Sequence, residues 1–310
     1  MDWFFYIALA VLASSANIFV DNYVSDCYFK GREATAQKGF YPLPFLIIGI
    51  IFLFAGGINF SNIPIHLYTL FIFSGIGSAV AGIFYYKALE VSDSTDFGIF
   101  AQLSPIFYLI LGWLFLDQTI NIYQSIALLI IIIAPILIIM TTKKRSRHLR
   151  IKAVLYTMLD SLIAALCSVI FVKGDADASE INFISEMGLT FIGIGIGNAI
   201  IMLLMPKWRK RYKNVVKSSR KKLYYPLSSA FILNVVHKFT RNLALVLAPS
   251  VALASAIMSS AKPIVIFFLG LLFTLLWPRF GREKLNKKAI LVHLVATVLV
   301  VIGICLIQSA

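Results

Sequence analysis

Two stretches decide the reading: Pro105-Ile106-Phe107-Tyr108-Leu109-Ile110-Leu111-Gly112-Trp113-Leu114-Phe115 and Pro263-Ile264-Val265-Ile266-Phe267-Phe268-Leu269-Gly270-Leu271-Leu272-Phe273. They lie 158 residues apart, and proline, isoleucine, leucine, glycine, leucine and phenylalanine recur in register. Ile18-Phe19-Val20 repeats as Ile170-Phe171-Val172 at a spacing of 152. Tyr86-Lys87-Ala88-Leu89 is matched more loosely by Asn242-Leu243-Ala244-Leu245 at 156. The drift in spacing implies small insertions within one apolar unit written twice.

Composition says where such a unit resides. Of 310 residues, 60% are hydrophobic and 14% charged, and the mean hydropathy is +0.88. A soluble domain carries about a quarter charged residues, so the class is polytopic membrane protein. The net charge of +14 falls in short blocks between apolar segments. It is read as loops facing anionic lipid, and no nucleic acid is expected. Cys27, Cys167 and Cys305 show neither CxxC nor metal-ligand spacing, so no disulfide, metal or cofactor is expected. The first apolar segment follows Met1-Asp2-Trp3 without a basic stretch and is read as a retained span.

Ten segments approach the roughly 20 residues that cross about 30 Å of hydrocarbon. They run roughly over 3–24, 43–57, 65–86, 94–116, 120–142, 153–173, 181–205, 225–247, 251–277 and 288–308. The second is short and ends in Gly56-Gly57. The fold class expected is all-α integral membrane: ten transmembrane helices as two five-helix repeats, 1–142 and 153–310. An odd number of spans per unit turns the second upside down, which places a ligand site near the bilayer midplane between the units. Alternate links carry 24 of the 28 Lys and Arg residues, and the opposite side carries Lys173 alone. Basic links stay cytoplasmic, so both termini are expected outside. Gly75, Gly77, Ser78, Ala79, Ala81 and Gly82, with Gly193, Gly195 and Gly197, are read as close helix packing.

Ionisable and amide groups inside spans are the candidate site. Asp160 and Lys262 reach similar depth from opposite ends, which suggests a pair or a shared cavity. Asn234, Lys238 and Arg241 share one face of the eighth segment, with His237 beside them. Asn234 and His237 are read as cavity lining, and Arg241 as reaching outer headgroups. Asn17 and Asp21 lie four apart, Asp21 as an interfacial residue. Gln102 stands three before Pro105 and answers to Ser260 in the second unit. Glu186 is placed at the rim. Asp93 and Asp96 are read as caps on a helix N-terminus. Pro105 and Pro263 each remove a backbone hydrogen bond and are read as matched kinks. There is no nucleophile elbow, HExxH or phosphate loop, so no enzyme is expected.

Tyr85-Tyr86-Lys87-Ala88-Leu89, Pro105 seventeen residues after Ala88, and Leu111-Gly112-Trp113-Leu114-Phe115-Leu116-Asp117 resemble the EamA unit of the drug/metabolite transporter superfamily. The second half is similar around Ala244 and Lys262-Pro263. The resemblance implies a ten-helix secondary transporter of small organic metabolites, amino-acid-like or anionic, working by alternating access. Two departures stand out. Lys262 precedes the second proline where the family often has an acid or amide, and the charge pattern puts the termini outside where members usually have them inside.

The partners expected are a small-molecule metabolite, the lipid of a plasma membrane and possible coupling protons, for a monomer or homodimer. The competing readings are a lipid or lipid-linked sugar flippase and a non-transporting scaffold or sensor. A buried lysine argues against the scaffold.

Overall fold

A computed structural model describes residues 2–29, 33–57, 64–91, 100–101, 104–119, 121–123, 125–126, 129–130, 147–178, 181–276, 295, 298–299 and 302. The helices are α1 (Asp2–Tyr28), α2 (Pro42–Ala55), α3 (Ile65–Val91), α4 (Ser104–Leu116), α5 (Arg147–Asp177), α6 (Phe183–Leu204), α7 (Pro206–Leu247) and α8 (Val251–Leu276). A 3-10 turn, Ala34–Gly39, lies between α1 and α2. Among the described residues there is no strand. Six stretches among the described residues are long and apolar enough to cross a membrane: Trp3–Tyr28, Ile65–Val91, Ile151–Asp177, Phe183–Leu204, Lys222–Leu247 and Val251–Gly270. Helices α2 and α4 are shorter. The expected spans 120–142 and 288–308 lie almost wholly outside the described residues, as do Asp93 and Asp96.

The surface and the interior both fit lipid surroundings. Phe54, Ile65, Phe73, Leu203 and Leu204 are exposed on the outside of the bundle, a disposition that marks a membrane-facing surface. Inside, Phe45, Phe71, Phe171 and Phe191 are fully buried. Phe71 meets Phe171 edge-on with centroids 5.3 Å apart, which joins α3 to α5. Helix α1 packs on α7 and α8, α2 on α6, α3 on α5 and α6, and α4 on α5 and α8. The α3–α6 crossing needs glycine on both sides. A Cβ on Gly75 would strike the Thr190 carbonyl, and one on Gly193 the Ile72 carbonyl. The small residues read as packing elements therefore act as such here.

Pro263 stands inside α8. Pro105 is the second of the described residues of α4. Residues 102–103 before it are outside the described residues. Pro226, which the sequence reading passed over, lies inside α7. It frees the carbonyl four residues earlier, and that oxygen, on Lys222, accepts the Tyr28 hydroxyl at 3.0 Å.

A correction concerns the link 206–224. It is not loop but the first half of α7, a helix of 42 residues bent at Ser219 (φ −128°, ψ 19°). Trp208, Tyr212 and Val215 along it pack against Val24, Phe29 and Ala36. The basic residues occupy the other side, which hides an amphipathic helix inside a charge run.

Candidate functional site

A cavity of about 210 Å³ lies between the two halves of the chain. Its walls come from every long helix and from the 3-10 turn. Residues 1–142 contribute Ser14, Asn17, Lys38, Ser78, Tyr86, Ser104 and Tyr108; residues 153–310 contribute Asp160, Asn198, Asn234, His237, Lys238, Arg241, Ser259 and Lys262. Asn17, Asp160, Asn234, His237 and Lys262 were read from the sequence as one site, and all five line this space. Gln102 lies outside the described residues.

Three of the sequence assignments change. Arg241 does not turn to headgroups. It faces the cavity, with its guanidinium 5.7 Å from the Tyr108 ring, a cation–π distance. Asp21 is not interfacial but fully buried. Its carboxylate accepts Asn17 Nδ2 at 2.8 Å, the Tyr85 hydroxyl at 2.9 Å and the Tyr86 hydroxyl at 3.3 Å. Glu186 is 1% exposed, in the first turn of α6, which Asn182 caps by accepting the Ile184 N–H at 3.0 Å. It is therefore inside the bundle and not at its rim.

Electrostatics set the character of the cavity. Four cations, Lys38, Lys238, Arg241 and Lys262, share the lining with one carboxylate, Asp160. Asp160 sits in the field of Lys262 first, then Lys238 and Lys38. The expected Asp160–Lys262 relationship is thus a shared cavity with charge coupling. His237 Nδ1 is 3.0 Å from the Ala10 carbonyl, which ties α7 to α1 and requires a proton on that nitrogen. The hydroxyls of Ser104 and Ser259 are 2.7 Å apart, joining α4 to α8.

Lys38 is the residue the sequence reading missed. It was counted among loop cations facing lipid, yet it is 3% exposed. The 3-10 turn carries it inward. Its ammonium donates to the Ala79 carbonyl at 2.7 Å and to Asn198 Oδ1 at 3.0 Å, and it lies 5.9 Å from the Tyr86 ring. The turn is held from outside as well. Gln37 donates to the Asp21 carbonyl at 3.3 Å, Thr35 to Glu90 at 3.4 Å, and Arg211 pairs with Glu33 at 3.3 Å. Because the turn lies outside the spans, Lys38 is a buried loop cation. Burial pulls its ammonium down to about 7, Lys238 pushes the same way, and Asp160 and Asp21 oppose.

The Tyr41 hydroxyl, 3.0 Å from that of Tyr86, extends this network. Asp21, Asn17, Tyr85, Tyr86, Tyr41 and Lys38 thus form one polar network along the cavity wall. The only sequence signal for this was the tyrosine pair at 85–86, since a buried network needs polar side chains that satisfy one another.

Comparison with known proteins agrees with this architecture. A solved structure, described only as a crystal structure of a protein, shares the fold with TM-score 0.60 at 14% identity over 96% of each chain. No curated protein matches the chain. The EamA-like transporter family matches over residues 2–140. The resemblance read from the Ala-Leu step and the proline segment therefore stands for residues 2–140, which match the EamA-like transporter family within a multi-pass membrane protein.

Proposed function

We propose that this protein is a secondary carrier of a small organic metabolite, amino-acid-like or anionic, which it binds in the cavity between its halves and passes across the membrane by alternating access. The observation that carries the reading is the cavity itself. A charged space walled by both halves has no purpose in an inert scaffold, and ionisable groups inside a membrane bundle mark solute pathways.

Ten spans in two inverted units, 1–142 and 153–310, are part of this proposal. The packing pattern supports them: exchanging the halves turns the α1–α7 contact into α5–α3 and the α1–α8 contact into α5–α4, all of which exist. Inverted units place the binding site at their interface. On the charge of the links, the basic side faces the cytoplasm of a plasma membrane and both termini face outward. Asp160, Lys262, Asn234, His237 and Asn17 are the proposed binding residues, with Gln102 as a sixth, and protons are the proposed coupling ion.

Uptake of a metabolite panel into proteoliposomes, with and without a proton gradient, tests the reading. Saturable uptake of one solute class is expected. Movement of a fluorescent phospholipid with no solute uptake would replace the carrier by a flippase.

A further inference from the structure

We propose that Lys38 is the oxyanion-binding residue of the cavity, and that the solute is a small organic anion with a carboxylate or phosphate group and net negative charge. This rests on the carrier reading and narrows it.

The first observation is an imbalance. Among the described residues four cations and one carboxylate line the cavity, and that carboxylate, Asp160, already lies in the field of three lysines. Asp21, just behind the wall, is engaged by Asn17, Tyr85 and Tyr86. A zwitterion would bring an ammonium into a space with no uncommitted carboxylate among the described residues. An anion meets the opposite situation, since excess cations in a water-poor space favour it strongly.

The second observation singles out Lys38. Its two hydrogen bonds go to neutral oxygens, on Ala79 and Asn198. An ammonium has three donors, so one is left for the cavity that Lys38 lines. Asp160 and Asp21 act on this charge without a hydrogen bond to it. A buried charge hydrogen-bonded only to neutral groups is costly, and a bound oxyanion lowers that cost.

The third observation is that the seat is shaped for the amine. A Cβ on Gly82 would lie 2.7 Å from Lys38 Nζ and 3.2 Å from its Cε. Glycine at 82 therefore sets where the ammonium stands. The group that would have to move is the flexible end of a side chain, so Gly82→Ala displaces the charge and leaves the helix intact.

The test uses the purified full-length chain and its proteoliposomes, with succinate, glycerol 3-phosphate, alanine and glycerol as probes. Calorimetry reads binding and counterflow reads movement. Succinate or glycerol 3-phosphate is expected to bind and exchange, the preferred one telling carboxylate from phosphate, while alanine and glycerol do neither. Lys38→Gln is expected to weaken that binding about tenfold or more, the loss of one charged hydrogen bond. Lys38→Arg is expected to recover part of it, and Gly82→Ala to weaken binding at unchanged thermal stability. Preference for alanine or glycerol, or wild-type oxyanion binding in Lys38→Gln, overturns the inference and leaves the carrier standing. Equal loss in Lys38→Arg and Lys38→Gln assigns the lysine to holding the turn and also overturns it. Failure of the folded wild type to move any of the four solutes or the metabolite panel overturns the carrier reading as well.

Discussion

The hydroxyls of Ser104 and Ser259 stand 2.7 Å apart, so the proline-bearing helices of the two halves touch at the cavity wall. Alternating access requires the halves to rock about the site, and a contact between α4 and α8 must then break once per cycle. In a cysteine-free background, Ser104→Cys with Ser259→Cys is expected to cross-link under mild oxidant, because the side chains approach closely enough for a disulfide. Cross-linking should stop transport and reduction restore it. Full transport by the cross-linked protein would mean that this contact does not move.

Asp160 and Lys262 both line the cavity from residues 153–310, and Lys262 acts on Asp160 more strongly than the other cations do. Removing either charge leaves the rest of the cavity unbalanced, so Asp160→Asn and Lys262→Gln are each expected to lower transport at least about tenfold, the scale of a single charged interaction. Exchange rates per folded molecule, with folding followed by size-exclusion profile, check this. Intact transport in both folded variants would remove the pair from the mechanism.

Asp21 has a different task. Three side-chain donors converge on its buried carboxylate, and a carboxamide cannot accept from all of them. Asp21→Asn is expected to cost about 1–3 kcal/mol, the penalty of orphaned buried polar groups, visible as a lower thermal midpoint in detergent. By contrast, Glu33 is 48% exposed in its pair with Arg211, and partly exposed pairs contribute about 0–1 kcal/mol. Glu33→Gln should leave the midpoint almost unchanged.

Protonation of Lys38 gives a pH signature. Burial lowers its ammonium to about 7, with Lys238, Asp160 and Asp21 acting on it and the Tyr86 ring beside it. An anion binds the protonated form, so affinity is expected to hold below about pH 6 and fall as pH rises through about 7. Calorimetric titration from pH 5.5 to about 8.5 checks this, and Lys38→Arg should flatten the profile because arginine stays charged.

These expectations separate what the sequence revealed from what it hid. Asp160, Lys262, His237 and Asn234 were legible because a polar side chain inside an apolar run is conspicuous and expensive. Arg241 was misplaced because, six residues from the end of its helix, a long side chain can reach headgroups, and only the packing shows it turning to the Tyr108 ring. Lys38 was hidden among Lys30 and Arg32 in a link, where a cation ordinarily meets headgroups, and nothing local announced that residues 34–39 would coil inward. The all-helical membrane class was legible in the apolar lengths of the segments.

Access to the cavity from both sides tests the central claim most directly. Ser161 lines the cavity, and Ser161→Cys in a background lacking the three native cysteines gives a reporter there. The measurement is its labelling by an anionic, membrane-impermeant methanethiosulfonate applied to either face of sealed vesicles. A carrier predicts labelling from each side and protection by the transported solute. Labelling from one side only, whatever solute is present, would contradict alternating access at this site.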